Sequence, residues 1–410
     1  MNHRSPFPRS LLLGIILPAY VAAFLYLRPD RAPETWEPGE IAGHVVAGEG
    51  YSLHRFSGEP EPSANQEPLY PLLLAAFLAW VPAPYISLLV FQTLAWLAAS
   101  MVLARLAHRC LDAPEWPTAA AVGLWPPVVL YVLSYHPLWL RATMLVLTLA
   151  VALRYRDQPD ERRAIELGAV MGLAGLARTT LLALPLVIVP WSLRHERFPP
   201  RIRNGSLMLL TAGLVLSPWL VRNRVVLGAW IPGTTTSGYA LLIGNHPGAN
   251  GVMDDEALRR MNDGLPADFY TLPEVERDRL QRARALTFVS ENPGITARLY
   301  FSRLFYLWTW RPGVGQDYSR TLTRAYLILW SLTLPLVLFG WRLAARDREA
   351  EHPHLELGTW GFLSLIYAAF AVNMRFRFES EALLVPYAVV AVFWMLARIR
   401  RRRRSQPTPN

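Results

Sequence analysis

Residues 84–104, PYISLLVFQTLAWLAASMVLA, run 21 positions without a charged side chain before Arg105 ends the stretch. A hydrocarbon core about 30 Å thick is spanned by roughly 20 helical residues, so one such run already removes part of the chain from water. The backbone polar groups of a spanning segment must be satisfied internally. These runs lack the period-two alternation of barrel strands, which leaves helices. Similar runs fall at 10–27, 84–105, 117–135, 137–153, 164–178, 179–195, 206–221, 324–344, 355–374 and 381–397, about ten predicted spans in all. The expected fold class is therefore an all-α integral membrane protein. Two shorter apolar runs, 69–82 and 299–311, are expected as short helices at the outer surface, because either one spanning alone would break the parity that keeps both termini inside. A hydrophobic content of 52% with 15 Trp agrees with this class.

The net charge of +10 is set by arginines in short loops and in the tail RIRRRRR at 398–404. Segments 105–116, 154–163, 194–204 and 342–349 are rich in arginine, whereas residues 28–68 carry eight acids against three arginines. This is the positive-inside pattern of a multi-pass membrane protein with both termini cytoplasmic, and it gives no support to a nucleic-acid partner. The run at 10–27, preceded by His3, Arg4 and Arg9, reads as a retained anchor. The expected organisation is a transmembrane module at 1–221 containing the first outer loop 28–68, then a long extracytoplasmic loop region at 222–298, C-terminal helices at 299–398 and a basic cytoplasmic tail at 399–410. Membrane lipids are the expected surroundings, and the tail offers a weak site for anionic ones. In the second loop a helix is expected over 273–291, punctuated by Asn292 and Pro293. Cys110 is the single cysteine, so no internal disulfide and no cysteine-based metal site is possible.

Neither outer loop is long enough to bury an independent enzyme core, so chemistry must occur where loops meet helix ends. In TWEPGEIAGHVV, a helix starting near Glu37 would place Glu37, Glu40, Ile41 and His44 on one face. A carboxylate there, shielded by Trp36 and the membrane surface, is a candidate general base. A solvated acidic loop that merely obeys topology is the competing reading. Arg178, Arg222, Arg375 and Arg377 sit at outer helix ends, where the topology rule makes arginine scarce. Either they hold a phosphate through their planar forks or they pair with nearby acids such as Glu379 and Glu381. Arg141 is explained by snorkelling, and His136 beside it reads as an interfacial residue. No zinc-protease, P-loop or dinucleotide motif is present, and no metal is assigned.

Four stretches, in order, resemble the polytopic GT-C glycosyltransferases, particularly the bacterial branch related to protein O-mannosyltransferases and aminoarabinose transferases. They are WEPGEIAGHVVAGEGYSL, EPLYPLLLAAF, SPWLVRNRVVLGAWIPGTTTSGYALLIGNHPGANG and NMRFRFESEALLVPYAV. Together they cover about a third of the chain and are specific only as a set. The family often has Asp, or an Asp-Glu pair, where this chain has Glu37, and proline where it has Glu379 and Ser380. The resemblance implies an inverting hexosyl- or pentosyltransferase of the bacterial inner membrane. Its donor would be a polyprenyl-phosphate-linked sugar at the outer face, its acceptor a glycan, lipid or protein, and it would need no cofactor. Glu37 then becomes the expected base with Glu40 next, Arg178, Arg222, Arg375 and Arg377 the phosphate ligands, and Asn223 and Asn245 residues that shape the site. The rival is a transporter or flippase for lipid-linked sugars, which should carry its charges along a mid-membrane path instead of at the outer rim.

Overall fold

The computed structural model describes residues 9–27, 35–54, 58–253, 255–262, 265–309, 319–346 and 355–404. His3, Arg4, the start of the first outer loop, the end of the 342–349 loop and residues 405–410 lie outside the described residues. The chain is a helical membrane protein: among the described residues it forms eighteen α-helices and one two-stranded antiparallel sheet. After helix α1 (Arg9–Leu27), the segment expected as the first outer loop folds as α2 (Trp36–Ala47), β1 (Ser52–His54) and β2 (Pro60–Pro62), with Ser52 opposite Pro62. Next come α3 (Leu69–Trp80) and α4 (Pro84–Leu111). At 12 residues, about 18 Å, α3 is too short to cross a membrane, as the outer-surface reading requires.

The expected span at 117–135 is instead two short helices, α5 (Glu115–Gly123) and α6 (Pro126–Val132). Pro126 and Pro127 have no N–H to continue the ladder, so the helix restarts there. Helices α7 (Leu138–Asp157) and α8 (Glu161–Ala177) follow, then α9 (Pro185–Leu193). A 3₁₀ turn over Thr179–Ala183 stands where the expected 179–195 span should begin. Helix α10 (Pro200–Leu227) is longer than expected and carries Arg222 within its last turns. The second outer loop holds α11 (Ser237–Gly244), α12 (Asp255–Asn262) and α13 (Glu274–Glu291), and α14 (Pro293–Trp308) restarts at Pro293. The chain closes with α15 (Arg320–Ala344), α16 (Leu355–Tyr367), α17 (Arg375–Glu381) and α18 (Val385–Arg404).

The count of ten spans is not reached by length and composition. Helices α4, α7, α10 and α15 are long and apolar enough to cross, and α17 with α18 makes a fifth if that pair, bent by 55°, is one span. Among the other expected spans, α6 and α9 are shortened by proline, and α8, 17 residues long, carries Glu161, Arg162, Arg163 and Glu166 in its first two turns.

Close helix contacts are set by glycine. Helix α8 lies along α10, and Gly168 and Gly172, four residues apart, face it. A Cβ at Gly168 would stand 2.4 Å from the Met208 carbonyl oxygen, and one at Gly172 would stand 2.7 Å from Val215 Cβ. This is the small-residue spacing that lets helices approach in lipid. Gly340 does the same for α15 on α18, since its Cβ would meet the Tyr387 carbonyl oxygen at 1.8 Å. These contacts fix the frame on which the helix ends around Glu67 and Arg178 converge.

Candidate active site

The ends of several helices and the segments that join them enclose a cleft of about 1440 Å³. Its lining includes Trp36 and Glu37 from α2, Glu67 before α3, His136 between α6 and α7, Arg141 from α7, Arg178 after α8 and Arg375 from α17. The opposite wall includes Thr235 and Tyr239, and Glu274, Arg277 and Asp278 from α13. A site for one small ligand occupies about 300–1,000 Å³, so this volume has room for two reactants.

Glu67 organises the charged end. Its Oε2 accepts from Arg141 at 3.1 Å, and its Oε1 accepts from the backbone N–H of Thr179 at 3.0 Å and from the Thr179 hydroxyl at 3.2 Å. Thr179 is available because α8 stops at Ala177 and Arg178 takes an extended conformation, φ −157°, before the 3₁₀ turn begins. The unsatisfied N–H groups that open a helical turn are natural partners for a carboxylate. Burial alone would raise the Glu67 pKa, but the guanidiniums of Arg141 and Arg178 and the Thr179 N–H outweigh it and hold the group below its usual range. A carboxylate so committed is a poor proton acceptor. Its task is to position Arg141, which is only 8% exposed and also donates to the Ala177 carbonyl at 3.3 Å. Snorkelling therefore does not describe Arg141, whose side chain is buried within the protein.

Arg178 lies 3.6 Å from the buried Glu379 carboxylate and over the rings of Tyr367 and Phe376, at 5.5 and 5.3 Å. The helical turn that begins at Met374 places Arg375 on the same cleft. His136 completes the group. Its Nδ1 is 3.2 Å from the Leu138 N–H, which can only donate, so in the neutral ring the proton belongs on Nε2. Burial first, then Arg141, Arg375 and Arg178, push its pKa well below the ordinary imidazole value, so it stays neutral. Three guanidiniums thus act on one imidazole, with two carboxylates, Glu67 and Glu379, between them. This end of the cleft carries an excess of positive charge suited to an anion.

The predicted residues separate into two classes. Glu37, Arg178 and Arg375 line the cleft. Glu37 is exposed, and among the described residues no hydrogen bond or ion pair occupies its carboxylate. Glu40, one turn later, is not in the lining; it accepts from the backbone N–H of His54 at 2.6 Å and lies 2.9 Å from His54 Nδ1. Arg222 also lies outside the lining and donates to the carbonyls of Ser63 at 2.7 Å and Tyr51 at 2.6 Å, tying the first loop to α10. Asn223 is fully buried and donates to Ile231 O, while Asn245 donates to Leu241 O and Ala369 O and accepts from Arg303. Arg377 is fully buried, pairs with Glu381 at 2.8 Å and donates to the Leu307 carbonyl.

Glu67, Arg141 and His136 are the cleft residues that sequence reasoning missed. Glu67 had a signal, standing immediately before the PLYP motif. Glu274 was also unforeseen: it accepts from the Ser63 hydroxyl at 2.8 Å, from Ala64 N at 2.9 Å and from the Thr235 hydroxyl, closing the second outer loop on the first.

No protein-family model matches this chain, and no curated protein matches it in sequence. A search of solved structures finds similarity to the crystal structure of ArnT from Cupriavidus metallidurans bound to undecaprenyl phosphate, with 16% identity and a TM-score of 0.40. The match covers 98% of this chain and 81% of that one.

Proposed function

We propose that this protein is an inner-membrane glycosyltransferase that moves a sugar from a polyprenyl phosphate to an acceptor hydroxyl or amine at the outer face, with inversion. The observation that carries the reading is the meeting of Arg141, Arg178 and Arg375, from three separate elements, in a cleft that also holds the exposed carboxylate of Glu37. The four ordered motifs that resemble the GT-C glycosyltransferases support it from the sequence side.

In this reaction the bond between the anomeric carbon and the phosphate oxygen breaks, and its electrons leave on the phosphate. The acceptor oxygen or nitrogen attacks from the opposite face and forms the new bond, and its proton passes to Glu37. The leaving group then carries additional negative charge, which fixed guanidiniums stabilise without reorganisation. Glu67 holds Arg141 in place, and neutral His136 contributes an N–H donor instead of a fourth positive charge. Arg222, Arg377, Asn223 and Asn245 belong to the framework that keeps the walls together.

The test is sugar transfer by the purified protein in detergent, using labelled polyprenyl-phosphate sugars with an extract of envelope lipids and glycans as acceptor. Label should move to a new species with wild type and not with Glu37→Gln. Movement of intact lipid-linked sugar across liposomes, with no cleavage of the sugar-phosphate bond, would favour transport instead.

A further inference from the structure

A second cluster lies outside the cleft, on the first outer loop. Glu40 and His44 are one turn apart on α2, and His54 on β1 is folded back against them. One carboxylate oxygen and one nitrogen from each histidine lie within 4.8 Å of one another. The imidazole rings of His44 and His54 meet edge to face with centroids 4.7 Å apart.

We infer that Glu40, His44 and His54 form a binding site for one divalent transition-metal ion, zinc being the best fit, which clamps β1 onto α2. The first support is the state of His44. Its Nδ1 is 2.9 Å from the Ser52 carbonyl oxygen. A carbonyl only accepts, so the proton sits on Nδ1 and the lone pair on Nε2, as in metal-ligating histidines whose other nitrogen is bonded to the backbone. The second is the donor set. Two imidazoles and a carboxylate suit zinc and its neighbours in the transition series, whereas magnesium and calcium favour oxygen.

Tetrahedral zinc places its ligand atoms about 3.3 Å apart at bond lengths of about 2.0–2.2 Å. The cluster must therefore close slightly, which the half-exposed His54 and partly exposed Glu40 side chains permit. Glu40 and the His54 nitrogen facing it, 2.9 Å apart, must instead open by a few tenths of an ångström, so the closing movement falls to His44 Nε2. When the ion binds there it takes the place of the proton between them, and in neutral His54 that proton moves to Nε2. The fourth position is left to water or to Glu49, whose carboxylate lies 3.8 Å from His44 Nε2. Sequence spacing hid the site because only Glu40 and His44 are a helical turn apart, and the third ligand arrives through the turn at 48–51. Binding here does not depend on the reading of the cleft.

The experiment uses the full chain purified in detergent, with any affinity tag removed and metal stripped by a chelator. Zinc is titrated calorimetrically, with metal content measured by mass spectrometry. The expected result is one zinc per chain, unchanged by excess magnesium, with a rise in melting temperature. His54→Gln is the decisive variant because the side chain is half-exposed and its loss should not unfold the protein. It should bind zinc at least about 10–100-fold more weakly and lose the thermal shift. Replacing zinc with cobalt should give a tetrahedral absorption band in wild type that is absent from His54→Gln. No stoichiometric zinc in wild type, or equal affinity in wild type and His54→Gln, would overturn the inference.

Discussion

Arg178 and Arg222 are both arginines at helix ends that the sequence places on the outer side, yet the structure gives them different surroundings. Arg178 faces the cleft with Glu379 at 3.6 Å and two aromatic rings beneath it. Arg222 is committed to two backbone carbonyls. A hydrogen bond to a charged group contributes about 1.5–3 kcal/mol. Arg178→Ala should therefore weaken polyprenyl-phosphate binding by roughly 10- to 150-fold, since each 1.4 kcal/mol is a factor of ten. Its effect on stability should be smaller than the roughly 3–5 kcal/mol expected when a buried charge loses its sole partner, because Arg141 also acts on Glu379. Arg178→Lys keeps the charge without the planar fork, so its affinity should fall between the two. Arg222→Ala should do the reverse of Arg178→Ala, lowering the melting temperature with little specific effect on lipid affinity. The assay is fluorescence quenching by a polyprenyl phosphate in detergent, paired with thermal melts of each variant. Wild-type affinity in Arg178→Ala together with lost binding in a folded Arg222→Ala would refute this division of roles.

Glu37→Gln should reduce turnover by about 10²–10⁴-fold with donor-lipid affinity retained, read from kcat and Kd side by side; inactivity in Glu40→Gln but not Glu37→Gln would shift the base by one turn. His136 is held neutral in the folded state, so its contribution to stability should be complete above its ordinary value of 6.5 and fall as pH drops below it, where the unfolded chain takes up the proton first. A pH series of melts should show a shallower loss in His136→Gln. Glu67, held below the usual carboxylate range, should contribute stability above that range and lose it as pH falls through its depressed value, and Glu67→Gln should flatten that acid limb. Gly340→Val should fail to give monodisperse protein on size exclusion, because its Cβ has no space against the Tyr387 carbonyl.

Helix positions were legible from apolar runs and proline punctuation: α4 starts at Pro84, and α13 gives way to α14 at Pro293 as the sequence predicts. Helix count was less legible. Hydropathy does not say that Pro126 and Pro185 restart helices rather than merely bending them. The lining of the candidate cleft was partly legible, because a charge at a helix end is a local signal and Glu37, Arg178 and Arg375 each carry one. Whether such a charge faces the cleft or the framework depends on partners far away in sequence. Arg222 meets Ser63, Arg377 meets Leu307 and Glu67 meets Thr179, and no local spacing encodes those pairings. Arg141 was misread because snorkelling explains an arginine near a helix end equally well until Glu67 is seen beside it.

Whether the cleft arginines hold a lipid phosphate can be seen by electron cryomicroscopy of the protein in nanodiscs loaded with a polyprenyl phosphate. Phosphate density is expected within hydrogen-bonding distance of at least two of Arg141, Arg178 and Arg375, with the isoprenoid chain leaving the cleft toward the membrane and Glu37 facing the open side. Phosphate bound elsewhere on the protein, with Arg141 still on Glu67 and Arg178 still on Glu379, would contradict it.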